Sequence, residues 1–471
     1  MATGLSEPTS APPFEGRENP EQRWLRTVYR PGVPQLTVRA VIVGMLLGWA
    51  SAFGAALAFF RDLPWLPLRI PASTGLPFTL RGLPASQWTV GIDWSVLLVG
   101  GGALMGFRTG WSMLLGATLN FGFLAPWMHD RGVLGVVSFR SLLGWSLWPG
   151  AALMIASGLL AFGFQWRSVL RALRQLLGVF ERRGRGTRAP PDPMDAVEVP
   201  IRWFGLGYLL LGPVMVWLMV RLFGFPVWAA LLALPLAVLL GSVAARVTGE
   251  TDVTPSKAFG PVTQLVYGAA LPGQMLPNIT GANVTAGVGL HAADLLTDLK
   301  AGWLLGANPR QQLVGQLFGA VAGALAVVPA FNLLVPRADV LGSEQFPAPG
   351  VQVWASVSRL LSQGASQLAP AAQQAILIGL AAGAALALLE RFAPRKLRAF
   401  VPSPTAVGVS FMIPFSNSLA FFLGALVAEG VRRRRPSEVD TTVTPVASGF
   451  IAGESLMGVL IAMAIALMAQ R

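Results

Sequence analysis

The sequence predicts an all-α polytopic membrane protein. The 471 residues are 54% hydrophobic and only 12% charged, with a mean hydropathy of +0.59. A soluble domain carries roughly 25% charged residues, about twice this supply. Apolar runs long enough to cross a bilayer of about 30 Å as helices recur from Val41 to the C-terminus. Into these runs are set 53 glycines and 36 prolines, a mixture frequent in membrane helices and rare in soluble ones.

About twelve hydrophobic segments follow in order. The first four are Val41–Phe60, Ile92–Phe107, Gly110–Pro126 and Ser141–Phe164. Next come Trp203–Phe223, Phe225–Ala245, Phe259–Met275 and Ile279–Leu305. The last four are Leu313–Val335, Ala372–Glu390, Thr405–Ala428 and Val446–Met468. Residues 1–35 are rich in Pro, Glu and Arg without an apolar core, so they read as a disordered cytoplasmic tail and not a signal peptide. Residues 36–471 read as one transport domain, with halves 36–223 and 225–471 and a cytoplasmic linker 166–200.

Charge sets the orientation. The net charge of +13 comes mostly from arginines in short loops, a pattern of cytoplasmic retention and not of nucleic-acid binding. Arg23, Arg26 and Arg30 belong inside, as do Arg167, Arg171, Arg174, Arg182, Arg183, Arg185 and Arg188. The segment Asp339–Pro349 belongs outside. Arg391, Arg395, Lys396 and Arg398 then fall inside, but a single crossing by Thr405–Ala428 puts Arg432, Arg433, Arg434 and Arg435 outside. Pro402, Pro404 and Pro414 break helices, so a re-entrant element over Val401–Pro414 is expected, turning at Pro414-Phe415. Backbone of that kind persists at membrane depth only inside protein or beside water. Trp148-Pro149-Gly150, with its following helix and arginine cluster, echoes Ile413-Pro414-Phe415, which suggests two degenerate repeats.

The chain lacks cysteine, which removes thiol chemistry, thiolate metal sites and disulfides. No metal-ligand spacing is present and no cofactor is expected. One helix, Ile279–Leu305, carries a polar stripe: Thr280, Asn283, Gly287, His291, Asp294 and Asp298 step by three or four residues along one face. An Asp near the bilayer centre costs roughly 2.5–3.5 kcal/mol, so such groups face a cavity or a partner. A carboxylate one turn from a histidine in a dry setting can titrate near neutral pH, as proton coupling requires. The bland alternative pairs both aspartates with Lys300 or a distant arginine. Lys300 sits nearly opposite Asp298 on the helix and is free to snorkel to the surface.

Upstream, Glu250 and Asp252 end one span as further protonatable groups. Pro255, Gly260, Pro261, Gly268, Pro272, Gly273 and Pro277 interrupt the next helix, freeing backbone for ligands. Gln264, Tyr267, Gln274, Asn278, Thr280, Asn283 and Thr285 add donors and acceptors, although any one alone is equally an interhelical hydrogen bond. Near the end, Glu454 is a carboxylate inside the last span, read either as a packing hydrogen bond or as a proton or amine site. Ser416 and Asn417 follow the Pro414 break and are candidates for the same cavity. Small-xxx-small steps at Gly44/Gly48, Gly315/Gly319/Gly323 and Gly379/Gly383 are packing signals. Trp303 and Trp354 read as membrane-interface residues, Arg310 as a cytoplasmic anchor and His129 as a loop residue.

The blocks GETDVTPSKAFGPVTQL from Gly249, DLLTDLKAGWLLGANPRQQ from Asp294 and IAGESLMGV from Ile451 resemble the oligopeptide transporter (OPT) family. That family includes the yellow stripe-like metal-chelate transporters. SLWPGAALMIASGL from Ser146 and MIPFSNSLAFFLGAL from Met412 add to the resemblance. It implies a secondary active transporter importing peptides, glutathione-like peptides or metal chelates, usually with protons. In place of the Gly-rich helices expected early in the chain stands an Arg- and Pro-rich segment, Arg61–Pro84. The expected partners are a small-molecule substrate, protons and the lipid bilayer, with self-association also open. The expected location is a bacterial-type inner membrane with the N-terminus cytoplasmic. The competing readings are a membrane enzyme using Asp294 and Asp298, and a channel.

Overall fold

The computed structural model describes residues 38–62, 70–164, 166–167, 170, 198–251, 256–335, 337–344, 346–364, 368–398 and 400–469. The tail 1–35, the arginines from Arg171 to Arg188 and Asp252 lie outside them. Glu250 falls in the last turn of its helix.

Every apolar segment expected from the sequence falls wholly or partly on helix. In chain order these are α1 (Val38–Asp62), α2 (Val96–Met105), α3 (Phe107–Ala117), α4 (Ala125–Asp130) and α5 (Phe139–Phe164). Next come α6 (Ile201–Phe223), α7 (Val227–Thr251), α8 (Ser256–Ala270), α9 (Met275–Leu305) and α10 (Pro309–Leu334). The last five are α11 (Pro349–Gln363), α12 (Pro370–Phe392), α13 (Pro404–Ser410), α14 (Phe415–Arg434) and α15 (Thr444–Ala469). Among the described residues, six helices are long and apolar enough to cross a membrane: α5, α6, α7, α10, α12 and α15. The chain has multi-pass character. The long helix α9 is not among the six, because its own aspartates, lysine and histidine lower its hydropathy.

The fold is not purely helical. Between α1 and α2, strand Ser73–Gly75 pairs antiparallel with Gly91–Asp93, and Thr79–Leu80 with Leu83–Pro84. Arg81 and Gly82 both take positive φ, 53° and 78°, the twist a two-residue hairpin needs. Trp88 anchors this cap. It is fully buried and donates from its ring nitrogen to the Leu80 carbonyl at 3.0 Å.

Two parallel helix pairs brace the body through glycine. Gly449 and Gly453 of α15 lie on the backbone of Leu47 and Ser51 of α1, and Gly379 and Gly383 of α12 lie on Pro149 and Leu153 of α5. Small residues permit this backbone approach, which supplies the dispersion contacts that hold helices together in lipid. Two expectations change here. Gly315, Gly319 and Gly323 have nothing within 4 Å, so that stripe does not pack, and α10 buries no residue in its apolar window. Trp354 is not peripheral, since its ring packs on Gly260. Pro149 lies within a continuous α5, unlike Pro414, which caps the start of α14.

Candidate functional site

Two helical hairpins turn back inside the helical body. In the first, α8 runs up to a break at 271–274 and α9 returns beside it. Pro272 cannot donate a backbone N–H, and Gly273 takes φ +77°, so the helix stops there. The antiparallel pairing is visible rung by rung: Asn278 Nδ2 donates to the Gln264 carbonyl at 2.6 Å, Tyr267 packs on Gly281, and Phe259 packs on Gly289. Gln264 Nε2 donates to the Trp354 carbonyl of α11 at 2.8 Å and to Asn278 Oδ1 at 3.3 Å. Gln264 Oε1 and the Tyr267 hydroxyl are buried without a partner.

The second hairpin is α13–α14. At its base Ser403 N donates to Ser112 Oγ at 2.9 Å, and Arg108 donates to the Val401 carbonyl and to Glu390, each at 2.9 Å. Further along, Val407 and Ser410 lie on Gly116 of α3. At the tip the Phe411 carbonyl receives Ser146 Oγ at 2.7 Å and Asn120 Nδ2 at 3.4 Å. The chain then runs back, so Phe422 and Ala425 lie on Gly110. Residues 403 and 425 therefore stand at one level along α3 and residue 411 at another. Both ends of this segment lie at one end of α3, and the arginines from Arg432 to Arg434 share a side with Glu390. The π-helical segment Thr118–Leu124, which carries Asn120, sits against the turn.

The sequence-derived site residues divide by burial. Gln264, Tyr267, Asn278, Thr280 and Thr285 are buried within the first hairpin, Thr285 donating to its own helix at Gly281. Gln274 and Asn283 are exposed. On α9 the positions from Thr280 to Asp298 fall within an arc of about 80°. That arc points away from the α7- and α8-facing side that buries Gly281, Thr285, Gly289 and Ala293. His291, Asp294 and Asp298 are exposed. Asp298 accepts from Gln316 Nε2 of α10 at 2.7 Å, and Gln312 closes the same end by donating to the Asp298 carbonyl at 2.6 Å. Beyond that clasp α10 leaves α9, and the stripe through Asp294 and His291 is uncovered among the described residues. Lys300 does not join it, because its Nζ lies 4.1 Å over the Trp303 ring.

Ser416 is buried and half-buried Asn417 lies beside it, but the backbone there is occupied. Phe415 N donates to Thr89 Oγ1 at 2.9 Å and Ser416 N to the Thr89 carbonyl at 3.2 Å. Glu454 is 5% exposed and accepts three bonds: from Arg61 Nη1 at 2.6 Å, Ser95 Oγ at 2.7 Å and Leu97 N at 2.8 Å. Sequence reasoning missed Arg61, Thr89, Ser95, Asn120 and Ser146. A lone Arg ending an apolar run was the one signal, and it pointed to Arg61. Arg310 donates to the Glu198 carbonyl at 2.6 Å behind the Asn308 cap, and His129 Nδ1 lies 2.9 Å from the Leu134 carbonyl.

Comparison with known proteins meets this geometry. The family model of the OPT oligopeptide transporter protein matches residues 35–465. The metal-nicotianamine transporter YSL2 of Oryza sativa subsp. japonica is 26% identical over 435 residues, covering 87% of this chain and 63% of its own length. The iron-phytosiderophore transporter YSL15 of the same organism is 26% identical over 434 residues, covering 87% of this chain and 64% of its own. The chain thus spans a little under two thirds of these relatives. A match running through both hairpins and both glycine-packed helix pairs places the chain in the OPT oligopeptide transporter family.

Proposed function

We propose that the chain is a secondary active transporter moving small peptides or metal chelates together with protons by alternating access. The uncovered stripe His291, Asp294, Asp298 beside a hairpin broken at 271–274 is the observation that carries this reading. Charged groups on an otherwise apolar helix cost too much to leave against lipid, so they belong to an aqueous path. The family name favours peptides, and the names of the two relatives favour chelates.

In this reading Asp294 and Asp298 take the proton, His291 relays it, and Glu250, in the last turn of α7, and Asp252 are further proton carriers. Neutralising the aspartates lowers the cost of carrying that face from water past its neighbours. Gln274 and Asn283, already exposed, make the first substrate contacts. Gln264, Tyr267, Asn278, Thr280 and Thr285 hold the hairpin closed until it moves, and Ser416 and Asn417 border the second tip. Arginines at the base of α13–α14 put that end in the cytoplasm.

The test is uptake of labelled peptide or chelate into proteoliposomes under an inward proton gradient. Asp294→Asn and Asp298→Asn are expected to lose most gradient-driven uptake while counterflow exchange persists. Full gradient-driven uptake in both variants sinks the assignment of the proton to this stripe.

A further inference from the structure

Where α1 ends, a guanidinium lies between two carboxylates. Arg61 Nε and Nη2 donate to both oxygens of Asp62, at 2.7 and 2.8 Å, and Nη1 donates to Glu454. Glu454 is held in addition by the Ser95 hydroxyl and the Leu97 amide, which open the ten-residue helix α2. Asp93, half-buried, accepts from Ser95 N at 2.9 Å. Among the described residues, the charged groups around Glu454 are Arg61 and Asp62 from α1 and Asp93 from the strand before α2. The cluster is buried at Glu454 and opens outward, with Asp62 34% exposed and Trp94 beyond it exposed.

One guanidinium N–H, a hydroxyl and a helix-start amide converging on one point form a receptor for a carboxylate. In this structure the protein's own Glu454 fills it. We propose that this is a carboxylate-exchange site, where a substrate carboxylate replaces Glu454 on Arg61, the Ser95 hydroxyl and the Leu97 amide once Glu454 is protonated. The inference rests on the transport reading and narrows its substrate to a carboxylate-bearing peptide or chelate. The proton passes from water to a Glu454 oxygen, which becomes a neutral donor and releases its hold on Arg61. The entering anion then restores the lost negative charge, so the cluster's net charge is unchanged. Asp62, bonded to the other edge of the guanidinium, keeps Arg61 in place throughout. Proton and anion are thereby taken up together.

The experiment measures binding of trialanine, of trialanine C-terminal amide and of citrate to the purified full chain in lipid nanodiscs, at mildly acidic and neutral pH. Wild type is expected to bind trialanine or citrate tighter at the acidic pH, by up to about tenfold per pH unit for one proton taken up with each carboxylate. The amide is expected to show no such dependence, and Glu454→Gln to bind at the acidic-pH strength at both values. Thermal denaturation checks the fold of that variant. Should it not fold, Ser95→Ala is expected to weaken trialanine several-fold with the pH dependence intact. An amide that follows the free acid overturns the proposal. So does wild-type pH dependence in Glu454→Gln, unchanged affinity in Ser95→Ala, or no binding of either carboxylate. Loss of all uptake with pH-dependent binding retained counts against transport and leaves the site standing.

Discussion

The α8–α9 turn leaves Pro272, Gly273 and Gln274 exposed, whereas Phe411, Met412, Ile413 and Pro414 of the α13–α14 turn are all buried. The first hairpin is clasped by Gln264 and Asn278 and braced along one side by α11, where Ser358 Oγ donates to the Met275 carbonyl at 3.1 Å, but residues 272–274 at its tip stay exposed. The second is held from outside, with Thr89, Asn120 and Ser146 taking its tip's backbone groups. A broken helix offers backbone to a ligand only if the protein has not already used it. By that measure α13–α14 is a frame, and α8–α9 is the hairpin with room to act.

The largest effects that can break this contrast come from glycine. In Gly424→Leu the new side chain meets the Val99 carbonyl, backbone that cannot step aside. No folded, monodisperse protein is expected on size-exclusion chromatography in detergent. In Gly281→Ala the new Cβ meets the Tyr267 ring instead, which can shift, so a folded protein destabilised by about 1–3 kcal/mol is expected. Equal damage from both removes the distinction between frame and mobile part.

The next pair sharpens it. Ser146→Ala takes the shorter donor from the buried Phe411 carbonyl, and Asn278→Ala takes the donor from the Gln264 carbonyl. Each is expected to cost roughly 0.5–1.5 kcal/mol, the net worth of one hydrogen bond, because Asn120 still reaches the Phe411 carbonyl and the Gln264 carbonyl lies within a helix. Uptake kinetics separate them, with KM unchanged in Ser146→Ala and altered in Asn278→Ala.

Thr89 carries the smallest effect. Its φ of 61° is unusual for a β-branched residue, and its hydroxyl caps α14. Thr89→Asn keeps an acceptor oxygen and suits that backbone better, so melting is expected to stay within about 0.5 kcal/mol of wild type.

Much of this was legible in the sequence, and the failures have physical reasons. Prolines and arginines together forced the reversal around residues 401–434, because the charge rule and a single crossing conflict there. Spacing alone put His291, Asp294 and Asp298 on one face of α9. It could not say that α10 would leave that face uncovered. The cap over residues 73–93 was missed because its turn is Arg81-Gly82 and not the Asn-Gly that marks such hairpins. Helix α11 was missed because it is short and mixed, with Val353, Ser356 and Val357 buried along one side. The Arg61–Glu454 pair spans 393 positions, and no local pattern reports a contact of that separation. Gly315, Gly319 and Gly323 show the converse: a strong local pattern with no neighbour among the described residues to use it.

The parallel pairing of α1 with α15 has a consequence for biosynthesis. The earliest described helix to leave the ribosome has as its main neighbour the latest. From the emergence of α1 until that of α15, the small-residue face of α1 is without the glycines that will meet it, and Arg61 is without Glu454. Assembly of this protein is therefore gated by the emergence of α15, and a nascent chain stalled before it presents the membrane with an arginine whose distant carboxylate has not yet been made.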